Sequence, residues 1–478
     1  MNLISLLPHS TSSFSAFRSG GAREAIWAGA DAPGVFPSPG AWVYDTLLPV
    51  EGLHGFMLVV MIIGALMVFV YGMRTMSEGI QAGVGSGLRG ALESMTKNRW
   101  MGALSGLSVT SVLQSSTAVT VMTVSFVNAG LITVGQSAGI ILGSNIGTTV
   151  TAWLVSLLGF RAGLTPYALV MFAIVSPLLL MRRSKVRIWR TPIIGLALMF
   201  IGLGFLMALV PGGAQAPGLY NFFLSQEMGG YSGILSLVAL GFLIAALLQS
   251  SSAAIALTMT FAFAGILPLT GAAALVLGHN IGTTVTAEFA SLGGNVHAKR
   301  SARIHTIFNV LGGVWMVVAL PYVVDVGWDL FGVGKEATAW EEGAAATTVL
   351  AAFHTFFNLA NFALFIGFTP LLARVAAATV PSRGRADETS KLSFMDSTIN
   401  VSEISLLEVR RAMIRFGEIT LRMAQMTRML FTEADPTERD KWHERIKHYE
   451  NVTDRMEVEI VSYCMKLSTT KLTTSSSE

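Results

Sequence analysis

From residue 53 onward the chain alternates long apolar runs with short polar breaks. Leu53–Met73, Thr191–Val210 and Gly271–Thr286 carry few or no charges over about 16 to 21 residues, close to the length of helix that crosses a hydrocarbon core of roughly 30 Å. The pattern predicts crossings at 53–73, 134–157, 163–181, 191–211, 271–293, 301–325 and 346–373. Two further segments, 101–131 and 231–268, are interrupted by polar runs and read as helical hairpins that enter and leave on one side. After residue 381 the period changes. Val401–Phe431 and a segment starting at Asp435-Pro436-Thr437-Glu438 carry a narrow apolar stripe, for example Trp442, Ile446, Tyr449, Val452 and Met456, at the steps of three and four of an amphipathic helix. Asp435 caps the second of these, with Pro436 in its first turn.

The interruptions are duplicated. LQSSTAV spans Leu113–Val119 and LQSSSAA spans Leu248–Ala254; GSNIGTTVTA spans Gly143–Ala152 and GHNIGTTVTA spans Gly278–Ala287. Both pairs are offset by 135 residues, and in each half the Asn lies 31 positions after the Gln. One shared offset for two separate motifs is the mark of an internal repeat.

Composition agrees with the pattern: 52% of residues are hydrophobic and 13% are charged, about half the charge of a soluble domain. Residues 386–478 hold 16 acidic and 13 basic side chains, so the tail is a soluble helical region. The single cysteine, Cys464, excludes an internal disulfide, and nothing in the charge pattern calls for a nucleic-acid partner. Residues 1–51 mix Gly, Pro, Ser and Ala, carry no clear signal peptide and read as poorly ordered. Loop Arg182–Arg190 has five basic residues and no acid, and loop Val326–Ala345 is acidic. The positive-inside rule therefore places the first in the cytoplasm and the second outside. Arg374, Arg383 and Arg385 place the tail inside. Three crossings then separate equivalent elements, so the two halves are expected to have opposite orientation. Inverted repeats with broken helices that meet near the midplane are the architecture of secondary transporters. The expected fold is thus all-α: a polytopic membrane protein with two inverted-topology repeats (52–190 and 191–325), each with a re-entrant helical hairpin. A final transmembrane helix (346–376), a linker (381–394) and a partial soluble helical region (395–478) complete it.

The polar runs define the candidate chemistry. A helix that resumes after a break presents free N–H groups and a partial positive charge, a ready anion site. Ser115, Ser116, Ser250 and Ser251 add hydroxyls, and Gln114 and Gln249 add amides. Two such hairpins would surround a small oxyanion with donors. Neither motif contains Arg or Lys, so bound cations are expected to offset the charge. Asn145, Thr148, Thr149, Asn280, Thr283 and Thr284, with Thr117 and Ser252, offer neutral oxygens suited to sodium. Membrane Ser/Thr clusters are often packing features, and the glycines of G-x-N-I-G could be close-packing sites, but duplication at fixed spacing favours a ligand site. Cation and anion binding would then favour each other, as symport requires.

Q-S-S-[ST] followed by G-x-N-I-G-T-T in each half resembles the type II sodium–phosphate cotransporters, most closely bacterial members with a C-terminal PhoU-like domain. Gly52–Gln81 resembles the opening of that family. The resemblance covers about residues 52–376. It implies inorganic phosphate as substrate, sodium as co-transported ion, no other cofactor, and a shared site formed by Gln114–Thr117 and Gln249–Ser252. It implies a transporter of the cell membrane rather than an enzyme, and the sequence has no phosphate-cradling G-x-x-x-x-G-K-[ST] loop. Import is the leading expectation; export, carriage of another oxyanion, or a membrane phosphate sensor acting through the tail are the alternatives.

Three features stand apart. Glu288 occupies the position of Trp153 in the first half, and an intramembrane carboxylate is a coupling candidate; it could equally sit at the cytoplasmic edge. The doublet IHTIFN (Ile304–Asn309) and FHTFFN (Phe353–Asn358) places His and Asn four apart, which either holds helices together or brackets the transport core. Glu450, Asp454 and Glu457 match the E-x-x-x-D pattern through which PhoU-like domains bind metal, or form a solvated acidic stripe. The two-helix tail is truncated or is completed by a second copy, which would make a homodimer.

Overall fold

The computed structural model describes residues 54–95, 98–128, 130–161, 167–180, 188–210, 216–330, 343–382 and 402–468. The N-terminal 1–51 segment, most of the basic loop 182–190, residues 331–342 of the acidic loop and most of the 381–394 linker lie outside them. Among the described residues all regular structure is helical: α1 His54–Met95, α2 Arg99–Leu113, α3 Ser116–Asn128, α4 Val134–Leu154, α5 Ala168–Leu180, α6 Arg190–Leu209, α7 Pro217–Met228, α8 Tyr231–Leu248, α9 Ser251–Phe263, α10 Leu269–Ser291, α11 Val296–Leu330, α12 Gly343–Ile366, α13 Thr369–Thr379, α14 Ser402–Thr432 and α15 Pro436–Ser468. A π-helical segment, Val155–Arg161, continues α4. Among the described residues six segments are long and apolar enough to cross a membrane: Phe56–Gln81, Val134–Phe160, Arg190–Leu209, Tyr231–Leu248, Val296–Gly327 and Gly343–Ile366. The protein is an all-α polytopic membrane protein.

Local signals explain the ends. Asn98 caps α2, accepting from the amides of Trp100 at 3.0 Å and Met101 at 2.9 Å. Thr133 and Gln136 form a reciprocal capping box that starts α4. Asp435 accepts from the Thr437 amide at 2.9 Å and caps α15.

Two helix pairs form the inner frame, α2 against α4 and α8 against α10. A Cβ on Gly143 would overlap the Ala103 carbonyl, and one on Gly278 would overlap the Val238 carbonyl. Gly147 meets Leu107 as Gly282 meets Phe242, and Gly106 meets Ile140 as Gly241 meets Leu275. Every member of these pairs lies 135 residues from its counterpart. The glycines of G-x-N-I-G are therefore close-packing sites, where backbone meets backbone.

Several elements differ from the sequence expectation. The first crossing does not stop at Met73; α1 runs 42 residues to Met95, and the stretch beyond Met73 holds five glycines but no proline. The segment expected to cross at 163–181 contains α5, only 13 residues long and with Pro177 inside, about 20 Å at 1.5 Å per residue. The crossing expected at 271–293 is the 23-residue α10, which is not among the six apolar spans. Its G-H-N-I-G-T-T run lowers the hydropathy, and residues 271–280 are all buried; a helix wrapped in protein needs no lipid-compatible surface. The last crossing, expected as one helix over 346–373, ends at Ile366, and the chain restarts as α13 with Pro370 in its first turn. Helix α7 was not expected at all, although Pro217 at its first position is a start signal.

Candidate functional site

The helix break falls at the Gln of each Q-S-S run. Gln114 has φ 52°, ψ 28° and Gln249 has φ 50°, ψ 26°, and among the described residues they are the two non-glycine residues with positive φ. A left-handed conformation costs a side-chain-bearing residue about 1–2 kcal/mol, and such outliers concentrate at functional sites. In both halves one non-helical residue follows, extended at Ser250 with φ −148° and ψ 106°, and the chain resumes as a helix. Ser115 and Ser250 cap that helix: their hydroxyl oxygens accept from the amides of Ala118 at 3.2 Å and Ala253 at 3.3 Å. A capping hydroxyl uses a lone pair, so its own O–H stays free to donate. Val119 and Ala254 bond to the carbonyls of Ser115 and Ser250 at 3.3 and 3.1 Å. The first-turn amides of Ser116, Thr117, Ser251 and Ser252 remain outside the helical ladder. Ser116, Ser251 and Ser252 are buried. The result is two serine-capped helix starts, each with free donors.

The halves are not identical. The Gln114 carboxamide oxygen accepts from Thr151 on α4 at 2.9 Å, and its nitrogen donates to the Ser111 carbonyl. Gln249 is exposed and makes no such bond among the described residues. Ser77 on α1 donates to the Leu113 carbonyl, the last of α2, and receives from Gln81 at 3.0 Å. Ser77 and Thr151 were not singled out from the sequence. The signal for the first was a Ser and a Gln four residues apart in an apolar helix. Thr151→Val is expected to leave the Gln114 oxygen unpaired and lower the unfolding free energy by roughly 1–3 kcal/mol; equilibrium unfolding in detergent measures it.

Six of the eight cation-ligand candidates lie on α4 and α10, buried; Thr117 is half-buried in the first turn of α3, and Ser252 is buried in that of α9. Asn145, Thr148 and Thr149 donate to carbonyls of their own helix at 2.8–3.1 Å, and Asn280, Thr283 and Thr284 do the same at 2.7–3.2 Å. Donating inward leaves their oxygens as acceptors. Each Q-S-S helix packs on its own half's G-x-N-I-G-T-T helix and also crosswise, on the other half. Helix α3, which starts at the first Q-S-S run, packs on α10 and α11 of the second half, and α9 packs on α4 and α12. Each Q-S-S helix thus lies against the other half's G-x-N-I-G-T-T helix.

Glu288 is paired. Its Oε1 accepts from Arg303 Nε at 2.9 Å and from Thr306 Oγ1 at 2.7 Å, and both partners are on α11, so the carboxylate does not face the Q-S-S runs through these contacts. Its counterpart Trp153 donates to Thr355 on α12 at 2.9 Å. The His residues of the doublet are buried, and His354 Nε2 lies 3.4 Å from Asn280 Oδ1. Glu450, Asp454 and Glu457 are exposed on α15. Among the described residues no three His, Cys, Asp or Glu side chains come together to hold a metal ion.

Comparison with known proteins follows the same residues. The chain is 28% identical over 328 residues to YqeW of Bacillus subtilis, an uncharacterized protein, covering 66% of this chain and 96% of the relative. It is 27% identical over 367 residues to a Salmonella typhimurium protein named "Putative inorganic phosphate export protein YjbB", covering 76% of this chain and 64% of that protein. The chain therefore spans less than two thirds of the length of the YjbB relative. Over 102 residues, 21% of this chain and 15% of the relative, it is 34% identical to the human sodium-dependent phosphate transport protein 2B. No solved structure matches. The sequence profile of the Na+/Pi-cotransporter family matches residues 68–208 and 231–335, a span that takes in both left-handed glutamines and both G-x-N-I-G-T-T helices: the chain belongs to the Na+/Pi-cotransporter family.

Proposed function

We propose that the protein is a secondary active transporter that moves inorganic phosphate into the cell by symport with sodium. The observation that carries the reading is the paired left-handed break at Gln114 and Gln249, each followed by a serine-capped helix start. Phosphate is held by the first-turn amides and the hydroxyls of Ser115, Ser116, Ser250 and Ser251, with Gln114 and Gln249 at the rim. Sodium is held by oxygens of Thr117, Ser252, Asn145, Thr148, Thr149, Asn280, Thr283 and Thr284. Crosswise packing sets each anion-binding helix against the opposite cation helix, so filling one site favours the other. The two halves insert in opposite orientations, with the C-terminal helices cytoplasmic. Each net positive charge carried inward draws about 2.3 kcal/mol per 100 mV from the membrane potential.

A second reading is net phosphate export, favoured by the 367-residue similarity to a relative named for export. Proteoliposomes separate the readings. Labelled phosphate should accumulate with an inward sodium gradient and not with potassium in its place. Equal flux in potassium would overturn sodium coupling; efflux from loaded vesicles that proceeds against the sodium gradient would favour export.

Glu288→Gln tests the coupling role of that carboxylate. With Glu288 held by Arg303 and Thr306, the expected result is unchanged sodium dependence and a loss of roughly 1 kcal/mol of stability, the usual size for a part-exposed ion pair. A changed sodium requirement would make Glu288 a coupling residue.

A further inference from the structure

The buried His–Asn doublet is not used by the site described above, and it carries orphaned oxygens. Asn309 Nδ2 donates to the His305 carbonyl at 3.0 Å, and Asn358 Nδ2 donates to the His354 carbonyl at 2.9 Å. These bonds fix the nitrogen end of each amide, so Oδ1 is the free end. Both Asn residues have no exposed surface, and both Oδ1 atoms lack a hydrogen-bond partner among the described residues. Burying an unpaired acceptor costs free energy. The same orphan occurs twice, at the same place in a duplicated motif.

The contacts of α11 and α12 follow the repeat. Glu288 on α10 meets Thr306 on α11 as Trp153 on α4 meets Thr355 on α12; Thr306 and Thr355 both follow the His of the doublet. Gly294 lies against Asn128, at the end of α3, as Gly343 lies against Phe263, at the end of α9. So α11 stands to α10 as α12 stands to α4. The exchanged pairs, α12 with α10 and α11 with α4, are also packed.

In the first of these exchanged pairs, His354 reaches Asn280, and Asn358 is one turn along the same face of α12. In the second, Asn295 bonds Asn128 at 2.8 Å just before α4 begins, and Ser301 donates to Ser137 at 2.8 Å. The two helices start from one end, and eight residues further along each lie Asn309 and Asn145. Two buried oxygens without donors repel an anion and suit a hard monovalent cation.

Resting on the proposed sodium coupling, we infer that Asn358 and its counterpart Asn309 each supply a side-chain oxygen to a sodium ion held with Asn280 and Asn145.

The test uses the full chain, with sodium as the probe. Two readouts are taken: the sodium concentration that half-saturates phosphate uptake in proteoliposomes, and the sodium-induced rise of the unfolding temperature in detergent. Asn358→Leu should raise half-saturating sodium at least about tenfold and abolish the thermal shift, while half-saturating phosphate at saturating sodium changes less than about twofold. A folded Asn358→Leu protein with wild-type sodium response overturns the inference and leaves sodium coupling intact, as does an equal loss of phosphate affinity. A wild-type protein with no sodium response in either readout overturns both. If the leucine variant does not fold, the isosteric Asn358→Asp decides: the added charge should lower half-saturating sodium at least about threefold, and an unchanged value overturns the inference.

Discussion

Gly143→Leu is expected to abolish the folded protein. The Gly143 Cα faces the Ala103 carbonyl of α2, where even a Cβ would overlap backbone. Overpacking in a core that can shift costs about 1–3 kcal/mol. Here the obstacle is main chain, and α2 cannot retreat without releasing the matching contacts at Gly106 and Gly147. The cost should exceed about 4–5 kcal/mol, the range of diagnostic losses. Gly278→Leu should behave alike, through the Val238 carbonyl. Gly64 is the control: it is a glycine of α1 with open space around its Cα, and Gly64→Leu should fold. The measurement is the monodisperse fraction on size-exclusion chromatography in detergent. A Gly143→Leu protein that elutes and unfolds like the wild type would mean that the α2–α4 approach is looser than described.

Ser116→Ala and Ser251→Ala are expected to give the largest losses of phosphate affinity. Both residues are buried at the first turn of a resumed helix, where their hydroxyls can donate to a charged ligand. A hydrogen bond to a charged group contributes roughly 1.5–3 kcal/mol, so each substitution should raise half-saturating phosphate by about 10–150-fold. The capping bonds of Ser115 and Ser250 are untouched, so the helix starts should remain intact. If the double variant transports with wild-type affinity, the serine clusters are packing features and the anion sits elsewhere.

Much of this was legible in the sequence. The repeat offset, the break within each Q-S-S run and the two tail helices followed from motif spacing and capping residues, because those signals are local. The crosswise packing of α3 on α10 and α9 on α4 was not legible, since no periodicity says which helix a helix will meet. For the same reason the offset of 49 residues rather than 135 left the His–Asn doublet as either a helix-holding pair or a bracket of the transport core. Contacts at Thr306 and Thr355 bring it into register. Helix α10 was expected as a crossing and forms as one continuous helix, whereas α7 was missed because its 12 residues are too few to show a period.

Crosswise packing also has a consequence for biogenesis. The ribosome finishes α4 about 97 residues before α9 begins. At roughly 5–20 residues per second, that is a delay of about 5–20 s. During that interval the polar flank of α4 sits in the translocon or the nascent bilayer without its permanent neighbour. The first half must therefore wait, chaperoned or transiently hydrated, until the second half is inserted, and neither half expressed alone should assemble.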